Sequence, residues 1–461
     1  MTAEAAPRPH NTRGPTAAAA LPALGVLTAA SYFYPVWAPI RDIFALRDLA
    51  LVQTVLFVCA AWVVLRGWGS RKTLGLIVLV GILCRLPLML LPPQFSDDVY
   101  RYIWDGRVQA AGVNPYRYIP ADPALAGLRD AAIYPHINRR NYAPTIYPPV
   151  AEMIFLTVTR VSETVTAMKA GVVAFEGIAV WMLALTLGRL GLPRDRVLLY
   201  AWNPLVIWQY AGGGHVDAAA IAFVAVALLA HVRRWDVLTG VALGCAILVK
   251  WYPAFLFPAL YRRGNWRMPA AAAATMIAGY VPYLGAGGGL VGFVPGYARE
   301  EGLLSGDRFF LLHVVRLAGA NVPTLVYVAV ALAVLLLIAF RALGEPDRTP
   351  AGDIRYAAML ATAFMVLIST HYLWYFGWLA LFVVLAPTLP LLYLTGAATF
   401  LFSALWYRPF LGIDDEMLAF NIALYVPFAL LALAPYLWPA VRRVRHRGAR
   451  ADGRGTAQGG M

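Results

Sequence analysis

Three carboxylates, two guanidinium groups and four aromatic rings lie within thirteen residues, from Phe95 through Ser96-Asp97-Asp98-Val99-Tyr100-Arg101-Tyr102-Ile103-Trp104-Asp105-Gly106 to Arg107. The chain on either side is strongly apolar. A carboxylate held in place can take a proton from a reacting hydroxyl, cations can stabilise departing negative charge, and ionisable groups at the edge of a membrane are functional by default. The stretch reads as an active-site loop. It continues to Gly112-Val113-Asn114-Pro115-Tyr116.

The surroundings of this loop follow from composition. Of the 461 residues, 61% are hydrophobic and 13% charged, with a mean hydropathy of +0.64. No soluble domain of that size hides so much apolar surface, so the chain is expected to be an all-α polytopic membrane protein. The 14 Trp and 24 Tyr exceed what packing between spans needs and suit interfacial belts and a substrate cleft. The net charge of +14 is spread in short clusters between apolar runs. That distribution argues against nucleic acid and for anionic membrane lipids as partners. Cys59, Cys84 and Cys245 lie inside apolar runs, so neither a disulfide framework nor a metal site is expected.

In chain order, residues 1–15 form a polar cytoplasmic tail, and residues 16–91 supply three spans: Thr16 to Trp37, Leu49 to Leu65 and Thr73 to Leu91. The first is read as an uncleaved span in preference to a cleaved signal peptide. Arg66, Arg71 and Lys72 mark the cytoplasmic side, which puts the acidic loop outside. Residues 92–167 are the external loop. Within it Val150 to Ser162, carrying Glu152 and Arg160, is expected to lie in the interface or to be a short tilted span. Residues 168–438 hold the other spans: Lys169 to Leu187, Val197 to Gly212, Ala218 to Val232, broken runs either side of Lys250, and those from Pro269 onward. A second external loop covers 285–308. Its Arg299, Glu300 and Glu301 read as a solvated face. Residues 439–461 form a disordered basic cytoplasmic tail. The expected total is about fourteen spans with both termini cytoplasmic.

Ser96-Asp97-Asp98-Val99-Tyr100-Arg101-Tyr102, with Trp104-Asp105-Gly106 and Gly112-Val113-Asn114-Pro115-Tyr116, resembles the first external loop of bacterial GT-C glycosyltransferases. Tyr147-Pro148-Pro149, Asn203-Pro204, Gly214-His215-Val216-Asp217, Lys250-Trp251-Tyr252-Pro253 and His371-Tyr372-Leu373-Trp374-Tyr375 extend the likeness over nearly the whole chain. The nearest group is the polyprenol-phosphate-mannose-dependent mannosyltransferases. The resemblance implies transfer of a hexose, mannose in the first instance, from a polyprenyl-phosphate donor to a lipid or glycan hydroxyl on the outer face. It implies a single inverting displacement with no metal and no cofactor.

Matching an acid followed by an aliphatic residue and Tyr-x-Tyr makes Asp98 the candidate base and Asp97 the N-cap of a helix starting at Val99. A register one residue earlier makes Asp97 the base. Lys250, Arg308, Arg139, Arg140 and His371 are expected on the donor phosphate. Tyr100, Tyr102, Trp104, Asp105, Asn114, Tyr116, Tyr147, His215, Asp217, Trp374 and Tyr375 are expected on substrate. Plainer readings stand beside these: a snorkelling Lys250, a polar turn at His215 and Asp217, and an interfacial belt at Trp374 and Tyr375. Other functions consistent with the hydropathy are the same fold with glucose or arabinofuranose as donor sugar, a lipid or solute transporter, and a non-catalytic scaffold.

Overall fold

The computed structural model describes residues 15–38, 43–67, 73–93, 96–370, 372–405 and 418–436. His371 and the tails 1–14 and 437–461 lie outside them. All regular structure among the described residues is helical. Seven of the helices are long and apolar enough to cross a membrane, and three shorter apolar helices accompany them. The protein is an integral membrane protein.

Three helices precede the acidic loop: α1 (Pro15–Trp37), α2 (Ile43–Leu65) and α3 (Thr73–Leu90). α4 (Asp98–Ala110) and α5 (Pro149–Val161) belong to the loop region and pack on each other. Gly106 makes that packing possible, since a Cβ there would come within 2.5 Å of the Phe155 carbonyl and the Thr159 hydroxyl. α6 (Val165–Arg189) starts where Thr164 caps it, its Oγ1 accepting from the Ala167 amide at 3.2 Å.

α6 runs antiparallel to α3. The Lys169 ammonium near its start donates to the Leu88 and Leu91 carbonyls at 3.1 and 2.8 Å, which α3 leaves open at its end. Midway, Arg85 forms a two-pronged pair with Glu176, Nη2 to Oε1 at 2.7 Å and Nε to Oε2 at 3.1 Å. Its Nη1 also donates to the Ala201 carbonyl at 2.8 Å. Within an apolar bundle such a pair holds its register, because moving either helix strands a charge.

The expectation of one span from Val197 to Gly212 is not met as a single rod. The segment is divided into Arg194–Val197, Leu198–Ala201, Pro204–Val206 and a π-helical turn, Ile207–Gly212. Pro204 lacks the amide a continuing helix needs, and Asn203 restarts the chain by accepting from the Leu205 amide at 3.0 Å. Every residue from Val197 to Gly212 is buried. This broken rod is the centre of the molecule, and the turn that follows it carries His215.

The remaining elements enclose it. α7 (Asp217–Val232) packs on α6 and on α8 (Asp236–Ile247), and α8 packs on α9 (Arg267–Tyr280). Between α8 and α9 the chain breaks at Lys250 into short turns, Tyr252–Leu256 and Phe257–Leu260, as Pro253 and Pro258 suggest. α10 (Thr324–Gly344), α11 (Pro350–Ile368), α12 (Gly377–Leu385) and α13 (Leu418–Tyr436) follow. The run from Leu391 is likewise divided, into Leu389–Gly396 and Ala398–Leu405.

Candidate active site

The first turn of α4 separates the two adjacent acids. Ser96 Oγ accepts from the Asp98 amide at 3.1 Å, while Asp97 occupies the N-cap position without any side-chain cap bond. Its φ of −97° and ψ of 9° are not the extended geometry that brings a capping oxygen over the next amides. Asp97 is therefore exposed and does not cap. The helix begins at Asp98, one residue before the expected start.

Asp98 points inward. Its Oδ1 accepts from Asn138 Nδ2 at 2.7 Å, its side chain is 17% exposed, and it lines a cavity of about 320 Å³. Lys250, Tyr147, Trp374, Tyr375 and Tyr297 stand on the other walls. The Lys250 ammonium lies 3.4 Å from Asp217 Oδ2 and sits over the rings of Tyr147 and Tyr375 at 5.2 and 5.3 Å. Burial opposes its charge most strongly, but Asp217, Tyr375 and Asp98 together outweigh burial and keep the lysine above its ordinary value.

His215 joins the two sides. Its ring stacks on Trp374 at 4.1 Å, and Nδ1 lies 3.8 Å from Asp98 Oδ2. Neither ring nitrogen has a hydrogen-bond partner among the described residues. Burial pulls the imidazole down to about 3, against the pull of Asp98 and with the push of Lys250, so it is neutral near pH 7. Gly214, at φ +76°, lets this turn lie against Val99 of α4, where a Cβ would approach to 3.1 Å.

Much of the acidic loop serves as scaffold beneath the cavity. Arg101 Nε meets both Asp105 oxygens at 2.8 and 2.9 Å, and Arg101 Nη1 donates to the Ala143 carbonyl at 3.1 Å. Glu152 accepts from Thr145 at 2.6 Å and from Gln109 at 2.8 Å. Burial, reinforced by the adjacent Asp105 carboxylate, raises Glu152 well above the usual carboxylate range. Tyr102 is buried between Phe155, stacked at 4.5 Å, and the edge of Tyr147 at 5.0 Å. Trp104 is buried against Tyr134, and Tyr100 stacks on His136. Asn114 holds a turn by accepting from the Tyr116 amide and donating to the Tyr283 carbonyl, and the Tyr116 hydroxyl donates to the Tyr147 carbonyl at 2.6 Å. Tyr100, Tyr102, Trp104, Asp105, Asn114 and Tyr116, expected on substrate, are thus absent from the cavity wall. Of the residues of that group, Tyr147, Trp374 and Tyr375 reach it. His215 and Asp217 stand directly behind it.

The expected phosphate cations are dispersed. Arg139 reaches the cavity rim with φ +53° and pairs with Glu300 at 2.6 Å. Arg140 turns away to the Pro135 carbonyl and the Tyr134 ring. Arg308 pairs with Glu301 beside Tyr372 and lines a neighbouring cavity. Glu301, whose side chain is 6% exposed, also accepts from the Tyr372 hydroxyl at 2.9 Å. The solvated-face expectation for Glu301 is therefore corrected, because two donors draw its carboxylate inward. Asn138, Tyr297 and Tyr372 were missed as site residues; the H-Y-L-W-Y motif points to Tyr372, but no local pattern singles out Asn138. Among the described residues no group of three or more His, Cys, Asp or Glu side chains is placed to hold a metal.

The model of the MptA_B family, described as alpha-(1->6)-mannopyranosyltransferase, N-terminal domain, matches residues 12–262. That range contains Asp98, His215, Asp217 and Lys250. Alpha-(1->6)-mannopyranosyltransferase B of Corynebacterium glutamicum is 27% identical over 186 residues, covering 36% of this chain and 30% of the relative. An alpha-(1->6)-mannopyranosyltransferase of Mycobacterium tuberculosis is 30% identical over 139 residues, covering 29% and 23%. A probable alpha-(1->6)-mannopyranosyltransferase of Mycolicibacterium smegmatis is 29% identical over 143 residues, covering 30% and 25%. Each match spans less than a third of the relative's length.

Proposed function

The chain belongs to the MptA_B alpha-(1->6)-mannopyranosyltransferase family, and from that premise we propose that it moves a mannosyl group from a polyprenyl-phosphate donor to a hydroxyl of a lipid or glycan at the outer face of the membrane. One observation carries the reading: the Asp98 carboxylate and the Lys250 ammonium face the same aromatic-lined cavity. A base for a hydroxyl and a cation for a phosphate are the two charges this reaction needs, and the rings of Tyr147, Trp374 and Tyr375 offer faces to a sugar.

In the proposed step the acceptor oxygen attacks the anomeric carbon as the bond from that carbon to the phosphate oxygen breaks. The hydroxyl proton passes to Asp98, which Asn138 orients. The phosphate leaves with the bonding electrons, and Lys250 stabilises its charge. Neutral His215 fills the space behind Asp98 without competing for the proton. The charge bias of the loops supports an outward-facing site.

The test is a membrane-fraction assay with labelled polyprenyl-phosphate mannose, glucose and arabinofuranose, following which donor is consumed and which lipid or glycan becomes labelled. Mannose transfer is expected. Consumption of another sugar would replace the donor assignment, and movement of label across the membrane without a new glycosidic bond would replace the enzyme reading with transport. Orientation is tested by labelling Ala126→Cys, an exposed position, with an impermeant thiol reagent on intact cells. Reaction only after lysis would put the site on the inner face.

A further inference from the structure

A second cavity, of about 550 Å³, lies beside the first and shares Tyr372 with it. Its size falls within the range of about 300–1,000 Å³ usual for ligand pockets. Its wall carries Glu301, Ser305, Asp307, Arg308 and Asn421. We propose that this cavity is the acceptor subsite, and that it takes a neutral hexose unit of a glycan. The proposal rests on the mannosyl-transfer reading above and names where that reaction's second substrate binds.

Three observations support it. The first is an unsatisfied group: Asn421 is 6% exposed, and its Oδ1 has no hydrogen-bond partner among the described residues. A buried amide oxygen left unpaired costs free energy, and a ligand hydroxyl would satisfy it. The second is charge. Arginine and carboxylate side chains share the wall, with Glu301 on Arg308 and Glu300 reaching across to Arg139 of the first cavity. A phosphate would meet three carboxylates, Glu300, Glu301 and Asp307, against two arginines, Arg299 and Arg308, and a lipid tail would strand all of these polar groups. A neutral polyol can donate to the acids and accept from the arginines.

The third is the partition between the cavities. The Tyr372 ring stacks on Trp374 at 4.6 Å, and Trp374 lines the Asp98 cavity. The Tyr372 hydroxyl is held by Glu301 at 2.9 Å on the other side, and the Arg139–Glu300 pair ties one rim to the other. One aromatic ring, Tyr372, thus stands between a sugar in the second cavity and the cavity that Asp98 lines. Tyr372 is then the platform over which the acceptor hydroxyl is delivered.

The experiment titrates α-linked mannobiose into the detergent-solubilised full chain carrying Asp98→Asn, so that binding is read without turnover, by saturation-transfer NMR. Saturable binding is expected, weakened at least tenfold by Asn421→Leu and by Ser305→Trp. The second variant fills the cavity from an exposed position and so does not depend on repacking the interior. Absence of binding, unchanged binding in both variants, or displacement of mannobiose by inorganic phosphate would overturn the proposal. Mannobiose binding that depends on Asn421, together with no mannosyl transfer by the chain with Asp98 intact, would overturn the functional reading and leave the subsite standing. Mannosyl transfer with an unchanged acceptor KM when Asn421→Leu and Ser305→Trp are made in the chain with Asp98 intact would do the reverse.

Discussion

Replacing Asp98 by asparagine separates chemistry from structure more cleanly than any other single change in the cavity. The amide keeps an oxygen to accept from Asn138, at 2.7 Å in the native chain. Its nitrogen takes the place of Oδ2, 3.8 Å from the neutral His215 ring, so no like charges are opposed and no large group is moved. A stability change within about 1 kcal/mol is expected, the size of one ordinary hydrogen bond. The amide cannot take the acceptor's proton. General-base catalysis contributes roughly 10²- to 10⁴-fold, which at about 1.4 kcal/mol per tenfold raises the barrier by about 3 to 5 kcal/mol. The assay is transfer of labelled mannose from polyprenyl-phosphate mannose by purified protein, with kcat and donor KM measured separately and monodispersity matched to wild type. The loss should fall on kcat with donor KM nearly unchanged. Asp97→Asn, at an exposed side chain that makes no cap bond, should stay within about 0.5 kcal/mol in stability and near wild type in rate. Near-normal turnover in Asp98→Asn with a dead Asp97→Asn would refute the reasoning, because the inward carboxylate would then not be the base.

Lys250→Met should weaken donor binding roughly 10- to 100-fold, the loss of one charge-assisted contact, and should also destabilise the fold by leaving Asp217 buried without its cation. Adding Asp217→Asn should recover stability but not donor affinity, and an unchanged donor titration in the double variant would return Lys250 to a purely structural role. His215 is held at about 3 against an ordinary 6.5, so between those pH values the unfolded chain binds more protons and stability rises with pH. Acidifying to about pH 5 should therefore remove ~2 kcal/mol, read as a falling thermal midpoint in detergent, and His215→Phe should flatten that part of the curve; an unaltered slope would mean that His215 is protonated in the fold. Arg85→Met should cost about 3–5 kcal/mol by stranding Glu176, with much of the loss restored in Arg85→Met/Glu176→Gln, as measured by thermal unfolding of the solubilised protein. Equal destabilisation in the single and double variants would show that Arg85 acts through the Ala201 carbonyl rather than through the carboxylate.

What the chain declares by itself is the solvent of its exterior and the chemistry of its acids. Apolar runs such as Thr73 to Leu91 and Lys169 to Leu187 can only be helices in a bilayer, because every backbone amide must be satisfied within the segment; α3 and α6 follow directly. The polar stretch at Asp97 and Asp98 stands out against them, and its residue types suit proton transfer beside a cation. Periodicity does not say which of two neighbouring acids turns inward. That depended on Ser96 taking the first amide of α4 and on Asn138, forty residues later, reaching back to Asp98. The roles of the aromatic residues were equally open: Tyr102, Trp104 and Tyr147 come from the same stretch between α3 and α5, yet of these three only Tyr147 reaches the cavity, because α5 and its Phe155 cover the other face of α4. The second cavity was illegible for the same reason. Glu301, Arg308, Tyr372 and Asn421 are spread over more than a hundred residues, and only the packing of three separate segments brings them to one wall. Hydrophobic pattern is a local property that composition carries in full, whereas the direction of a polar side chain depends on partners that arrive from distant helices, and those partners exist only once the bundle has closed.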